Sequence, residues 1–149
     1  QQVLLDIGID VAPVIPTTTE QAAQLLDKHH LVVMGGTTPG HTTDAVAVAF
    51  ARDAGAGHCI IATNVSHVFD KDPREHDDAQ SFSSMTFDQL AEITGIDEPL
   101  APGQSAVIDP IAVGWAKKAA ITLAVLDGRQ MQILEQALEG EPFEGTLIQ

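Results

Sequence analysis

Cations are what this sequence has least of. Seven Lys+Arg stand against 21 Asp+Glu in 149 residues, a formal net charge of -14. Duplex nucleic acid is held through a cationic footprint that neutralises phosphates, and none is present. The same balance disfavours anionic membrane surfaces. No uninterrupted apolar run reaches the about 18 residues that a membrane-spanning helix needs. A single cysteine, Cys59, excludes an internal disulfide and a Cys-rich zinc site. Within His58-Cys59-Ile60-Ile61-Ala62 it reads as a small apolar residue on a buried strand, in keeping with a reducing cytoplasm. The opening Gln1-Gln2-Val3-Leu4 has neither an initiator Met nor the basic-then-apolar order of a signal peptide, so the chain reads as cut from something longer. Internal repeats and low-complexity tracts are absent.

Apolar residues make up 44% of the chain, enough for one compact domain over residues 1–149. Their periodic runs argue against disorder despite the acidity. An acidic, Lys-poor surface suits a cytoplasm of very high salt, where screening removes self-repulsion; a merely acidic protein is the plainer reading.

Elements alternate along the chain. Residues 2–9 read as the tail of a helix and 10–15 as a short extended segment. Pro16-Thr17-Thr18-Thr19-Glu20 opens a helix to about residue 28, with Thr17 and Glu20 at capping-box spacing. Residues 31–34 read as a buried strand ending in Gly35-Gly36, 42–54 as a helix, and 58–63 as the next buried strand. Residues 64–84 form a polar loop with room for a hairpin, and 86–93 a helix with Thr86 and Gln89 at capping-box spacing. Residues 96–104 are a Pro- and Gly-containing connector. Asp109-Pro110 starts a helix with Asp at the N-cap and Pro first. Residues 120–126 form a strand, 129–139 a helix and 145–148 a last strand. This alternation implies a mainly parallel sheet covered on both faces, with ligands beyond the C-terminal strand ends. Two segments fall there: 35–44 and 63–72.

Met34-Gly35-Gly36-Thr37-Thr38-Pro39-Gly40-His41-Thr42-Thr43-Asp44 leaves a strand and enters a helix. Its glycines let the backbone approach a ligand, and its threonines surround a helix N-terminus that favours an anion. It fits a phosphate; for Gly-Gly-Thr alone, a tight turn with Thr capping is the plainer reading. It matches neither the Walker A nor the Rossmann pattern. Ala62-Thr63-Asn64-Val65-Ser66-His67-Val68-Phe69-Asp70-Lys71-Asp72-Pro73 places polar groups, an aromatic and acids where a nucleotide could lie, or is an ordinary loop. In Ser105-Ala106-Val107-Ile108-Asp109-Pro110, Asp109 is a helix cap or a carboxylate that orients a cation during phosphoryl transfer. The histidines show no i, i+4 metal spacing, and no metal site is expected.

The Gly35-Gly36-Thr37-Thr38-Pro39-Gly40-His41-Thr42-Thr43-Asp44-Ala45-Val46 segment resembles the uridylate-binding loop of archaeal-type uridylate (UMP) kinases of the amino-acid-kinase superfamily. Thr63-Asn64-Val65, Val68-Phe69 and Asp72-Pro73 resemble that family's ATP-binding strand and loop. Ser105 to Pro110 resembles the segment bringing in its catalytic aspartate. Asp127-Gly128-Arg129 and Gly145-Thr146-Leu147-Ile148 follow in register, so the resemblance covers nearly the whole chain. It implies a three-layer αβα sandwich and transfer of the ATP γ-phosphate to UMP, giving UDP in pyrimidine nucleotide biosynthesis, with Mg²⁺, in the cytoplasm. It implies a UMP site at Thr37, Thr38, Pro39, Gly40, His41, Thr42 and Thr43. Thr63, Asn64, Phe69 and Asp72 would hold ATP, and Asp109 would be catalytic. A homohexamer is implied too.

The family begins with a strand, a Gly-Gly phosphate loop and a catalytic lysine; none is found here, so the chain is expected to be N-terminally truncated and negligible in transfer by itself. Of the lysines Lys28, Lys71, Lys117 and Lys118, only Lys71 stands beside the ATP loop. Ser66-His67 occupies the place of a usual Asp-Gly, so this loop is expected to bend another way. Phe69 lacks the hydroxyl a Tyr would bring. The alternatives are another kinase of the superfamily, acting on a carboxylate, carbamate or isopentenyl phosphate, and a non-catalytic nucleotide-binding subunit.

Overall fold

The computed structural model describes residues 1–94 and 107–149. The connector 96–104, with Ser105 and Ala106 of the third motif, lies outside the described residues. In chain order the described elements are α1 (Gln2–Asp6), α2 (Thr19–Leu26), α3 (Thr43–Asp53), β1 (His58–Thr63), β2 (Val68–Phe69), β3 (Ser81–Phe82), β4 (Ser84–Met85), α4 (Phe87–Thr94), α5 (Pro110–Ala119), β5 (Thr122–Asp127), α6 (Met131–Glu139) and β6 (Thr146–Ile148).

The main sheet runs β1-β5-β6-β4. β1 and β5 lie parallel over six residue pairs, His58↔Thr122 to Thr63↔Asp127. β4 and β6 are also parallel, whereas β5 and β6 are antiparallel. On one face Cys59, Ile61, Leu123, Val125 and Ile148 pack with Ala45 and Val48 of α3, Leu90 of α4, and Ala112, Val113 and Ala116 of α5 in one core. Alanines at the meeting of α3 and α5 keep those helices close while favouring helix intrinsically. The other face carries α6, and beside it a cavity of about 800 Å³ opens against Ile60, Ala124, Leu138 and Phe143. Helices on both faces of a mainly parallel sheet make the expected three-layer arrangement.

Four local readings change. Residues 31–34 form no strand; Leu31 makes one parallel bridge to Val11, with the Ala12 N–H donating to the Leu31 carbonyl at 2.8 Å. Among the described residues no second bridge follows it, so the apolar run lacks the paired neighbour that a strand needs. The box opening α2 is displaced by one residue: Thr18, not Thr17, is the N-cap and accepts from the Gln21 N–H at 3.2 Å. The loop 64–84 holds the hairpin it had room for, the β2/β3 antiparallel pair; the change is that Ser84–Met85 joins the main sheet. Ala120 does not start the last long strand; it caps α5 in the left-handed region at φ 53. The Thr86 and Gln89 box is present as read, with the Gln89 N–H donating to Thr86 Oγ1 and the Thr86 N–H to Gln89 Oε1.

Thr146, fully buried in β6, joins the two sheets: its Oγ1 accepts from the Val68 N–H at 2.9 Å and donates to the Phe82 carbonyl. Thr146→Val keeps the shape and removes the hydroxyl that serves both groups. The expected loss is about 2–4 kcal/mol of unfolding free energy, read from urea denaturation; an unchanged midpoint would contradict this role.

Candidate active site

Short connections decide where the functional residues meet. Only residues 54–57 separate α3 from β1, and only 120–121 separate α5 from β5. Each helix therefore runs back along the strand it precedes, and its N-terminus reaches the edge where β1 and β5 end. That edge collects the 35–44 segment, Asp109, and the residues that follow β1 and β5, as expected for a parallel sheet.

Thr38, Pro39, Gly40 and His41 make a turn closed by the His41 N–H on the Thr38 carbonyl at 3.1 Å. Pro39 presets the second position, and Gly40, at φ +90, fills the third, where a side chain would be strained. Behind the turn, the His41 ring stands edge-on to Trp115, centroids 5.3 Å apart, and the Arg52 guanidinium lies over the same indole at 5.9 Å. Thr37, Thr38 and His41 line a cavity of about 290 Å³ with Thr18, Arg52 and Trp115. Trp115 and Arg52 were not among the residues singled out by sequence. Nothing local marks them; only the packing of α3 on α5 brings them beside the loop.

Thr42 caps α3 by accepting from the Ala45 N–H at 3.3 Å, and its own hydroxyl donates to Asp109 Oδ2 at 2.5 Å. Asp109 in turn caps α5, with Oδ1 accepting from the Ile111 N–H at 2.9 Å. Its main-chain N–H donates to Asp44 Oδ2 at 3.3 Å. Thr43 opens α3 with its side chain exposed. Burial raises the Asp44 carboxyl above its ordinary range, and the charge of Asp109 adds to this. Cys59 is buried, and burial pushes its thiol up to about 11, which leaves it an unreactive core residue.

A second cluster forms where β1 and β5 end side by side. The Gly128 N–H donates to the Thr63 carbonyl at 2.9 Å. A Cβ on Gly128 would stand 2.8 Å from Ala62 Cβ, so glycine is what lets β5 turn away against β1. Asp127 accepts from Arg129 Nε at 2.8 Å and Nη2 at 2.6 Å, and Nη2 also donates to the Asn64 carbonyl at 3.0 Å. Those bonds hold the Asp127 carboxyl down to about 2. Arg129 thereby braces the start of the loop that follows β1, a role the sequence did not suggest.

Thr63 and Asn64 are thus fixed at this edge. Phe69 sits on β2, half-buried, edge-on to His67 at 6.3 Å. Asp72 lies farther along and is turned onto its own loop, accepting from the Arg74 N–H at 2.8 Å and from its guanidinium. Among the described residues, no hydrogen bond, ion pair or ring contact links Asp72 to Thr63 or Asn64. Lys71 pairs with Asp78 at 2.7 Å. Neither Ser66 nor His67 takes a positive φ; among the described non-glycine residues only Ala120 does. The loop bends without the turn an Asp-Gly pair would make.

The amino acid kinase family model matches residues 1–127. The chain is 38% identical to the uridylate kinase of Methanococcus aeolicus over 134 residues, covering 90% of this chain and 58% of that protein. It is 39% identical to that of Methanocaldococcus jannaschii over 135 residues, covering 91% and 58%. The crystal structure of uridylate kinase from Archaeoglobus fulgidus superposes with a TM-score of 0.84 at 32% identity, covering 99% of this chain and 65% of that one. A Bacillus anthracis UMP kinase structure, at 21% identity and TM-score 0.71, shares the fold. The chain thus spans somewhat under two thirds of the length of these relatives.

The Asp127 brace carries a pH signature. Because its folded pKa is depressed from 3.8 to about 2, its contribution to stability is present above the unfolded value and lost as pH falls through the folded one. The difference in urea midpoint between the unaltered protein and Asp127→Asn should be constant at neutral pH and shrink between pH 3.8 and about 2. A difference that does not change with pH in that window would contradict the brace.

Proposed function

The chain belongs to the amino acid kinase family, and we propose that it forms the acceptor side and part of the nucleotide side of a UMP kinase, which transfers the γ-phosphate of ATP to UMP. The observation that carries this reading is the bond from Thr42 to Asp109. It ties the loop resembling the uridylate site to the acid resembling the catalytic one, at the sheet edge that also holds Thr63 and Asn64. The names of the relatives support the same substrate.

In this reading Thr37, Thr38, Pro39, Gly40, His41, Thr42 and Thr43 surround UMP, with the N-terminus of α3 favouring its phosphate. Thr63 and Asn64 hold ATP from the end of β1, beside the end of β5, with Phe69 and Asp72 closing from the hairpin side. Asp109 orients the cation that meets the transferring phosphoryl group. Among the described residues no cluster of three or more metal-ligating side chains exists. Mg²⁺ commonly takes one or two carboxylates plus substrate phosphates, and Asp109 with Asp44 beside it fits that donor set. When bound, Mg²⁺ neutralises charge on the phosphate oxygens. The protein's own contribution is to hold acceptor and donor in line and to keep Asp109 in one orientation.

Among the described residues neither Asp44 nor Asp109 has an ion-pair partner, while Lys71 and Lys117 pair with Asp78 and Asp88. By itself the chain is therefore proposed to bind rather than to transfer. No described helix is long and apolar enough to cross a membrane, and we place the enzyme in the cytoplasm.

Two measurements test the reading. Phosphoryl transfer from Mg·ATP in high KCl is followed with UMP, CMP, acetylglutamate, aspartate and isopentenyl phosphate. The chain is compared with a version extended by any coding sequence upstream of Gln1. Transfer to UMP by the extended form and near-silence from the chain are expected. Preference for another acceptor would remove UMP from the proposal, and turnover by the chain alone at the rate of the extended form would contradict the division of labour. Trp115 is the only tryptophan and lines the cavity beside Thr37 and Thr38. UMP should therefore change its emission saturably without any turnover, and flat emission at millimolar UMP would count against this loop as the acceptor site.

A further inference from the structure

Val68 begins β2 and Phe82 ends β3, and the two residues face each other at the open end of the hairpin. One hydroxyl serves both: Thr146 Oγ1 accepts from the Val68 N–H at 2.9 Å and donates to the Phe82 carbonyl. The β3 arm has a further tie to the main sheet, since it runs on into β4 and the Leu147 N–H donates to the Ser83 carbonyl at 3.0 Å. The β2 arm pairs with β3 alone. Among the described residues, the bond to Thr146 is the one hydrogen bond that joins β2 to the main sheet.

That bond also ends a short stretch whose shape is not set from within. The Asn64 carbonyl is held by Arg129 Nη2 at 3.0 Å, and the Val68 N–H by Thr146. Val65, Ser66 and His67 lie between, and none of them takes a positive φ. With no turn residue to impose a bend, the path of this stretch follows from where its two ends are fixed. Thr146 is held firmly enough to serve as such an end. It is fully buried in β6, which pairs with β5 on one side and β4 on the other. A Cβ on the preceding Gly145 would stand 2.5 Å from both the Val125 carbonyl oxygen and the Phe143 ring, so the chain enters β6 packed directly against β5.

We infer that Thr146 is a positioning residue for the nucleotide: by clamping Val68 and Phe82 to β6, it fixes where Phe69 and residues 65–67 stand beside Thr63 and Asn64. The inference rests on the proposed reading that this loop and hairpin hold ATP. Thr146 touches neither ATP nor UMP in that reading; its hydroxyl acts through the main chain of β2 and β3. Serine at this position keeps the hydroxyl and loses a methyl group, whereas valine keeps the shape and loses the hydroxyl. The two substitutions therefore separate the hydrogen bonds from the packing of one buried side chain.

The test uses the upstream-extended protein, at a temperature where circular dichroism shows every variant folded. Thr146→Val should raise KM for ATP by about 3- to 10-fold, the factor that one net hydrogen bond supplies. KM for UMP should stay within about twofold, because the caps of α3 and α5 do not involve Thr146. Thr146→Ser, which keeps both hydrogen bonds, should stay within about twofold of the unaltered protein for both substrates. A merely structural role would lower the folded fraction or raise both KM values together. Amide hydrogen exchange in the unaltered protein gives a second readout that needs no variant. A non-hydrolysable ATP analogue should slow exchange at Val68 by a larger factor than at Leu123 in the core of β5, whereas UMP should slow the two alike. An unchanged KM for ATP in Thr146→Val, an equal rise in both KM values, no recovery with serine, or equal slowing of Val68 and Leu123 by the analogue would overturn the inference. If no form transfers phosphate to UMP, the functional reading fails, and exchange with the ATP analogue still decides whether the clamp serves the nucleotide.

Discussion

Two helix caps bonded to each other are the constraint on which the rest of this structure depends. Thr42 ends the loop and begins α3; Asp109 begins α5; the hydroxyl of the first donates to the carboxylate of the second. Each also satisfies an N–H of its own helix, so neither can shift without uncapping a helix. Because α3 and α5 lead by short connections into β1 and β5, fixing their N-termini together fixes the loop against the ends of those strands. A loop of glycines and threonines that would otherwise be free to wander is held where two adjacent parallel strands stop.

The second half of the edge is held by a different device. Gly128 permits close approach of β5 to Ala62, and Arg129 spans Asp127 and the Asn64 carbonyl. The hydrogen bonds end on main-chain carbonyls, of Thr63 at the end of β1 and of Asn64 just after it, which leaves the Thr63 and Asn64 side chains uncommitted to that bracing. The side with residues 35–44 is organised by caps, and the side after β1 by an ion pair.

Much of this was legible in sequence where local chemistry is decisive. Asp109-Pro110 announces a helix start, His58-Cys59-Ile60-Ile61-Ala62-Thr63 announces a buried strand, and both fall where expected. Residues 31–34 form no strand because an apolar run says nothing of its neighbour: among the described residues its one bridge is Leu31 to Val11. Ser84–Met85 is too short to show a period, and it is a strand only because β6 lies beside it. Within the site, the Thr and Gly positions of the loop were visible, as was Asp109. Trp115 and Arg52 were not singled out, and Asp44 and Arg129 stood inside motifs with no role of their own, since their roles come from contacts between segments far apart in the chain. Asp72 shows how far a resemblance reaches: it implied an acid that holds ATP, and it could not show that Arg74 engages the carboxylate here.

The central claim is that one sheet edge carries an acceptor site and a nucleotide site that meet at Asp109. Amide chemical-shift mapping of this chain with UMP and with a non-hydrolysable ATP analogue tests it most directly. The account requires UMP to shift the amides of Thr37 to Asp44 together with Asp109, the ATP analogue to shift Thr63, Asn64 and Gly128, and α6 to stay unmoved by either. Shifts confined to α6 and the cavity beside Leu138 and Phe143, or UMP shifts that spare both Thr42 and Asp109, would contradict it.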